Sequence, residues 1–177
     1  MSSTQKQIGY IHVYTGTGKG KTTAALGLAI RAVGAGKQVF IAQFVKGMPY
    51  SEIVTIKKYL PGITLLQYGL DCFIVNEPTN KDIEAAQKGL LEVSEIVTSN
   101  LYDVVILDEV CIALYYKLFT VDEVIRILKS KPESVEIVLT GRYAPDELIE
   151  MADLVTEMKE IKHYYNQGVE ARKGIEF

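Results

Sequence analysis

The sequence predicts an α/β fold in which helices cover both faces of a mostly parallel sheet. Short runs that are apolar throughout alternate with longer stretches whose apolar residues recur every three or four positions. Strands without polar positions are typical of parallel sheets that are buried on both faces. The chain has 177 residues, of which 48% are hydrophobic. We therefore expect a single domain over residues 1–177, with the polar residues 1–7 flexible.

Six apolar runs are predicted to form the strands of this sheet. Ligands of such sheets bind beyond the carboxyl ends of the strands, so we expect the functional residues there. The predicted strands occupy residues 8–14, 38–44, 63–68, 103–107, 135–139 and 154–158.

Two of the predicted helices begin with a capping box, in which a Thr and an acidic residue three positions later cap each other's backbone N–H groups. One box pairs Thr79 with Asp82, at the start of a helix over residues 79–98, and the other pairs Thr120 with Glu123. A further helix is predicted over residues 21–33. Pro145 suits the first position of a short helix.

A glycine-rich segment, Gly16-Thr17-Gly18-Lys19-Gly20-Lys21-Thr22, lies between the first strand and the first helix. Glycines let backbone N–H groups approach an anion closely, and the helix N-terminus attracts negative charge. The position between strand and helix favours a phosphate-binding P-loop, although Thr15 stands where the usual pattern begins with Gly. The fold class is therefore P-loop (RecA-like). We expect this segment, with Thr23, to bind a nucleoside triphosphate and Lys21 to neutralise its phosphates.

The strand over residues 103–107 leads into two acidic residues, Asp108 and Glu109. In P-loop proteins an Asp at the end of such a strand holds magnesium, and the hydroxyl that follows the loop Lys is a further ligand. Oxygen ligands suit hard cations. We therefore predict that Thr22, Asp108 and Glu109 hold Mg²⁺ or Mn²⁺.

Two further cations, Arg142 and Lys46, follow predicted strands at their carboxyl ends. Arg142 can offer a planar set of donors to phosphates. We predict that Arg142 contributes to the nucleotide site, while an exposed structural role is the alternative for both residues.

Composition argues against several other classes of protein. The net charge of -3 argues against a general nucleic-acid-binding surface. No apolar run approaches the roughly 20 residues that span a membrane, and the polar start lacks the apolar core of a signal peptide, so we expect a cytoplasmic protein. Cys72 and Cys111 form no C-x-x-C pair, which argues against a structural zinc site.

The P-loop and five other segments closely resemble the ATP:corrinoid adenosyltransferases of adenosylcobalamin synthesis. The likeness begins near Gly9 and continues to the end of the chain, and the closing segment is especially characteristic of the family. The matching segments are residues 14–25, 43–47, 107–109 with 113–114, 139–145, 152–158 and 168–177.

This resemblance implies transfer of the 5′-deoxyadenosyl group of ATP to the Co(I) of a reduced corrinoid such as cob(I)alamin, with release of tripolyphosphate. Lys19 and Lys21 are then the catalytic cations, because both lie in the loop that holds the leaving group. Co(I) is already a strong nucleophile, so no general base is required. The family also implies a reduced flavoprotein as electron donor and a homodimer.

One family motif, Gly-Phe-Thr-Trp, is only partly present. Its Phe and Trp crowd the lower face of the corrinoid, and in this chain Phe73 matches the Phe while Val75 stands in place of Trp. The resemblance therefore implies that Phe73 and Val75 contact the corrinoid, although Phe73 is as readily a core aromatic residue.

Two other functional classes share the P-loop and the acidic pair. One is a RecA-type ATPase, in which Glu109 would polarise water, and the other is a nucleotide-binding regulator without catalysis. The net negative charge of the chain and the lack of a recognisable DNA-binding segment favour the adenosyltransferase. Tripolyphosphate as product would separate it from an ATPase, which releases orthophosphate.

Overall fold

The six strands of the sheet follow the sequence prediction closely. The structure, a computed structural model, describes residues 8–70, 74 and 77–177. Residues 1–7, expected to be flexible, and the predicted corrinoid residues Phe73 and Val75 lie outside the described residues. The strands are β1 Ile11–Thr15, β2 Val39–Phe44, β3 Ile63–Tyr68, β4 Val104–Asp108, β5 Glu136–Thr140 and β6 Leu154–Glu157.

All five strand pairs in the sheet are parallel, in the order β3-β2-β4-β5-β1-β6. The predicted α/β fold with a parallel sheet is thus confirmed. Since every strand points the same way, all carboxyl ends lie at one edge of the sheet. The P-loop after β1 therefore lies at the same edge as the acidic pair after β4.

In the described ranges, six α-helices and one 3₁₀ turn connect and follow the strands. Both predicted capping boxes are present, at Thr79 and Thr120. Pro145 is the N-cap residue rather than the first helical residue, because its ψ of 146° is still extended. The helices are α1 Lys21–Gly34, α2 Ser51–Tyr59, α3 Asn80–Thr98, α4 Val110–Tyr115, α5 Val121–Ser130 and α6 Asp146–Met151, and the 3₁₀ turn is Tyr164–Gln167.

The apolar core is divided by the sheet into two layers. Helices α1 and α2 pack on one face, where Ala29 and Ile56 belong to one apolar cluster with strand residues such as Ile106. Helices α3 to α6 pack on the other face, around strand residues such as Leu107. Helices on both faces explain why the central strands β2 and β4 are buried at every position. None of the helices in the described ranges has both the length and the apolar composition needed to cross a bilayer.

Candidate functional site

The backbone of the predicted P-loop packs directly against the chain that follows β6. Gly18 N donates to the Met158 main-chain oxygen at 2.6 Å. A Cβ added at Gly16 or Gly18 would lie 2.5 or 2.7 Å from that same oxygen, which is too close for any side chain. Gly16 and Gly20 also have φ of 97° and 115°, which L side chains rarely adopt. The loop conformation thus depends on glycine at these positions.

Lys21 lies inside the loop and is buried, with 7% of its surface exposed. Its Nζ donates to the main-chain oxygens of Gly16 and Gly18, both at 2.7 Å. Burial lowers the pKa of Lys21, because the charged form loses hydration. The ammonium is therefore held by two loop carbonyls, where an anion bound to the loop would approach it.

Asp108 is the centre of a buried hydrogen-bond network at the end of β4. Its Oδ1 accepts from Thr22 Oγ1 at 2.9 Å and from Thr140 Oγ1 at 2.7 Å. Its Oδ2 accepts from Lys46 Nζ at 2.8 Å and from Gln43 Nε2 at 3.2 Å. The network joins α1 to three neighbouring strands, β2, β4 and β5, and holds the Asp108 carboxylate against the N-terminal end of α1.

Glu109 leaves the strand in a left-handed conformation, with φ of 59°. Its N–H donates to Thr140 Oγ1 at 2.9 Å, and its side chain lines the cavity described below. Burial and the neighbouring Asp108 raise the pKa of Glu109. The two acidic residues therefore differ in their surroundings. Hydrogen-bond donors enclose the Asp108 carboxylate, whereas the Glu109 side chain faces the cavity.

The residues predicted to hold a metal ion fit a divalent cation. The Lys46 ammonium already occupies a cation position, because its Nζ lies 2.8 Å from Asp108 Oδ2 and 3.3 Å from Thr22 Oγ1. Burial disfavours the charge of Lys46, but the Asp108 and Glu109 carboxylates outweigh that effect and raise its pKa. In the described part of the chain, no three or more His, Cys, Asp or Glu side chains gather as metal ligands. Further ligands would be phosphate oxygens and water.

Lys19, the second lysine of the loop, points to the C-terminal segment instead of into the loop. Its Nζ donates to Glu176 Oε1 at 2.7 Å, to the Ile175 main-chain oxygen at 3.0 Å and to Tyr164 Oη at 3.2 Å. These three bonds use all three donors of the ammonium.

A cavity of about 720 Å³ opens above the loop and is lined by both predicted and unpredicted residues. The predicted residues that line it are Thr17, Gly18, Lys19, Gly20, Lys21, Thr22, Thr23, Glu109 and Arg142. Gly16 and Asp108 lie behind this surface, in contact with Lys21 and Thr22 respectively. The sheet edge thus brings together the P-loop, the acidic pair and Arg142.

Sequence reasoning did not single out four side chains that hydrogen-bond to Asp108 or Lys19 in this site. Gln43 is the second-last residue of β2 and Thr140 is the last residue of β5, and their place near the carboxyl ends of apolar strands was the available signal. Tyr164 and Glu176 contact Lys19 from more than a hundred positions away along the chain. No spacing pattern in the sequence indicates that contact.

Comparisons with known proteins identify the family of this chain. The family model of the ATP:corrinoid adenosyltransferases BtuR/CobO/CobP matches residues 7–177. A corrinoid adenosyltransferase of Sinorhizobium sp. is 38% identical over 180 residues, covering 100% of this chain and 84% of that protein. The corrinoid adenosyltransferase of Escherichia coli K12 and the corrinoid adenosyltransferase CobA of Salmonella typhimurium LT2 are each 33% identical over 178 residues, with 100% of this chain and 90% of theirs covered. From the family model and these relatives it follows that the chain is a transferase and belongs to the ATP:corrinoid adenosyltransferase family.

Proposed function

We propose that the chain, as a single nucleotide-binding domain, transfers the 5′-deoxyadenosyl group of ATP to the Co(I) of a reduced corrinoid. A bond forms between cobalt and the ribose C5′, and the bond from C5′ to the α-phosphate oxygen breaks. The electron pair of the broken bond leaves with that oxygen, so the product is tripolyphosphate. The observation that supports the proposal best is the Lys21, Thr22 and Asp108 arrangement at the sheet edge in a chain of this family.

Lys21 and Lys19 are proposed as the residues that stabilise the leaving group. Lys21 is bound only to loop carbonyls, and these bonds can be exchanged for stronger charge-assisted bonds to phosphate oxygens. Lys19 adds positive charge at the rim of the same loop, and Arg142 also lines the cavity. Charges that are already in place when negative charge develops lower the barrier most.

Thr22, Asp108 and Glu109 are proposed to hold Mg²⁺ or Mn²⁺ with the nucleotide. Such an ion would neutralise charge on the phosphates. The Thr22 hydroxyl and the Asp108 carboxylate already contact each other and share the Lys46 ammonium. These oxygens therefore need little rearrangement to accept a metal ion in place of that ammonium.

Phe73 and Val75 are proposed to contact the lower face of the corrinoid. Ile74, which lies between them in sequence, lines the cavity and its main-chain oxygen accepts from Tyr116 Oη at 3.1 Å. This placement of Ile74 supports the proposal that the 73–75 stretch faces the substrate. Val75 fills less space than the Trp of the family motif, so we expect corrinoids without a firmly held lower base to be better substrates than complete cobalamin.

Replacement of Phe73 by Ala tests the corrinoid contact. We expect Phe73→Ala to lower the adenosylation rate at least about tenfold, which is about 1.4 kcal/mol of barrier, because apolar bulk that displaces the lower ligand is lost. ATP affinity, measured by calorimetry, should change little. An unaltered rate, with an unaltered spectrum of bound Co(II) corrinoid, would show that Phe73 is a core residue.

A homodimer, and a reduced flavoprotein that delivers the electron to the corrinoid, are proposed from the family resemblance. The cytoplasmic location is proposed from the sequence, in which no apolar run is long enough to span a membrane. Chemical reduction can replace the electron donor in a first assay, so the transfer reaction can be tested without that partner.

The decisive experiment identifies the phosphate product. The protein is incubated without oxygen with ATP, magnesium and chemically reduced cobalamin, and the products are separated by anion-exchange chromatography. Tripolyphosphate in equal amount to adenosylcobalamin supports the proposal. Orthophosphate would indicate the RecA-type ATPase, and bound but unchanged ATP would indicate a nucleotide-binding regulator. Lys21→Ala is the matched control, and we expect it to abolish useful ATP binding.

A further inference from the structure

The Glu176 carboxylate lies at the centre of a contact between the C-terminal segment and the P-loop. It accepts a hydrogen bond from Lys19 Nζ at 2.7 Å, from the Arg172 backbone N–H at 2.7 Å and also from the Tyr164 hydroxyl. The Arg172 guanidinium lies over the Tyr164 ring, 5.0 Å from its centroid. One carboxylate thus joins three separated parts of the chain beside the phosphate loop.

These contacts fix a lysine that would otherwise be mobile. The Lys19 side chain is 42% exposed, whereas that of Glu176 is 16% exposed. A long, exposed lysine loses side-chain entropy when it is ordered, so an unsupported Lys19 would sample many positions in solvent. Its bonds to Glu176, Ile175 and Tyr164 hold the ammonium at one place on the cavity wall.

The cluster keeps positive charge at the loop in spite of its carboxylate. Lys19 and Arg172 each pair with Glu176, so two cations and one anion leave a net charge of +1. The hydrogen bond from Lys19, followed by that from Tyr164, lowers the pKa of Glu176, and the carboxylate therefore stays ionised at neutral pH. A net positive cluster at this rim attracts the anionic phosphate chain.

We propose that Glu176 is a positioning residue, which holds Lys19 at the rim of the P-loop, where the fixed charge of the ammonium acts on the leaving tripolyphosphate. The same contact places the main chain of residues 174–177 as one wall of the nucleotide cavity. Phe177 extends this wall to α2, since its main-chain oxygen accepts from Ser51 Oγ at 3.0 Å. The inference rests on the proposed function, because it concerns the same phosphate site.

A double-mutant cycle on turnover tests whether Glu176 acts through Lys19. We expect Glu176→Gln to lower kcat by about tenfold, because a preorganised charge becomes mobile, with a smaller change in KM for ATP. In the Lys19→Ala background, which is itself expected to lower turnover more than binding, Glu176→Gln should have no further effect on kcat. If the effects of Glu176→Gln and Lys19→Ala on kcat multiply in the double variant, the proposal is overturned. An unchanged kcat in Glu176→Gln alone would also overturn it.

Hydrogen exchange of the nucleotide-free protein provides a readout that is independent of activity. Glu176→Gln and Lys19→Ala should both speed amide exchange over residues 172–177, where Glu176 N donates to the Arg172 main-chain oxygen. Glu170→Gln, at an exposed carboxylate of the same segment, is the matched control and should leave exchange and kcat as they are. Unchanged exchange in both variants would overturn the proposal.

These experiments distinguish failure of the proposed function from failure of the positioning role alone. A wild-type protein that produces no tripolyphosphate refutes the proposed function. If the wild type and Glu176→Gln produce tripolyphosphate at the same rate, only the positioning role is refuted.

Discussion

At the scale of single residues, Lys46 occupies the position proposed for the metal ion. Its ammonium contacts both Asp108 and Thr22, so a divalent ion bound between these oxygens would have to displace it. Lys46→Met removes this competitor, while Asp108 keeps its bonds from Thr22, Thr140 and Gln43. We expect the affinity for Mn²⁺ without nucleotide, measured by electron paramagnetic resonance of free Mn²⁺, to rise by about tenfold, or about 1.4 kcal/mol.

The control for the Lys46 experiment is Lys58→Met, which removes the same charge from the exposed surface of α2. Long-range charge effects are screened by salt, so this variant should bind Mn²⁺ like the wild type. If Lys46→Met binds Mn²⁺ no more tightly than the wild type does, Lys46 does not compete with the metal.

Site residues were predictable where the signal is local and unpredictable where it depends on tertiary contacts. Lys21 and Thr22 could be read from a loop of fixed spacing, and Asp108 from the strand that precedes it. Thr140 and Gln43 meet Asp108 only because β2 and β5 both flank β4, and that order is not encoded in any one segment. Glu176 reaches Lys19 through the path of the C-terminal segment, for which the sequence offers no periodicity.

At the scale of secondary structure, the capping box of α5 predicts a measurable stability contribution. Thr120 Oγ1 accepts from Glu123 N at 3.3 Å, and Glu123 Oε2 accepts from Thr120 N at 2.7 Å. Thr120→Ala should lower the free energy of unfolding by about 1 kcal/mol at pH 7, measured by urea denaturation. Thr55→Ala, inside α2, is the control, and we expect it to cause no loss because Ala favours helix interiors.

The same capping box should depend on pH. Hydrogen bonds from the Thr120 side chain and backbone lower the pKa of Glu123, so folding favours the ionised form. The contribution is therefore fully present above the ordinary Glu pKa of about 4.5 and is lost as pH falls through the lowered folded value. The stability difference between wild type and Glu123→Gln should shrink in that acid range, and a difference that stays constant with pH would contradict this account.

Helices with capping boxes were predicted correctly, whereas two short helices were not predicted. Helix α2 lacks a side-chain cap, and of its nine residues only Ile53 and Ile56 are buried, so its periodicity is weak. Helix α4 has six residues and follows Glu109 in a left-handed conformation. A short apolar run directly after a strand looks like a continuation of that strand, and only the backbone turn at Glu109 separates them.

At the scale of the whole molecule, the parallel sheet followed from the composition of its strands, but its order did not. Apolar strands separated by helices require cover on both faces of the sheet, which the two core layers provide. Which strand lies beside which depends on packing between helices and the sheet. The placement of β1 between β5 and β6 depends on such packing. This placement brings the P-loop next to Met158.

The hydrogen bond between Gly18 and Met158 makes the edge strand β6 a reporter of loop occupancy. β6 pairs with β1 alone among the described strands and is exposed at every position, so it is expected to open more often than the central strands. Opening pulls Met158 away from the loop that is proposed to hold the phosphates. Bound nucleotide should therefore slow amide exchange in residues 154–158, by up to about a hundredfold when ATP exceeds its Kd by the same factor.

The opposite edge of the sheet is an internal reference for these fluctuations. β3 Ile63–Tyr68 is also an edge strand, and a nucleotide effect confined to the loop should leave its exchange rates unchanged in the same mass-spectrometric experiment. Equal slowing at both edges would mean that ATP stabilises the domain as a whole. Slowing at β6 alone would mean that the last strand of the sheet opens and closes with the phosphate loop as one unit.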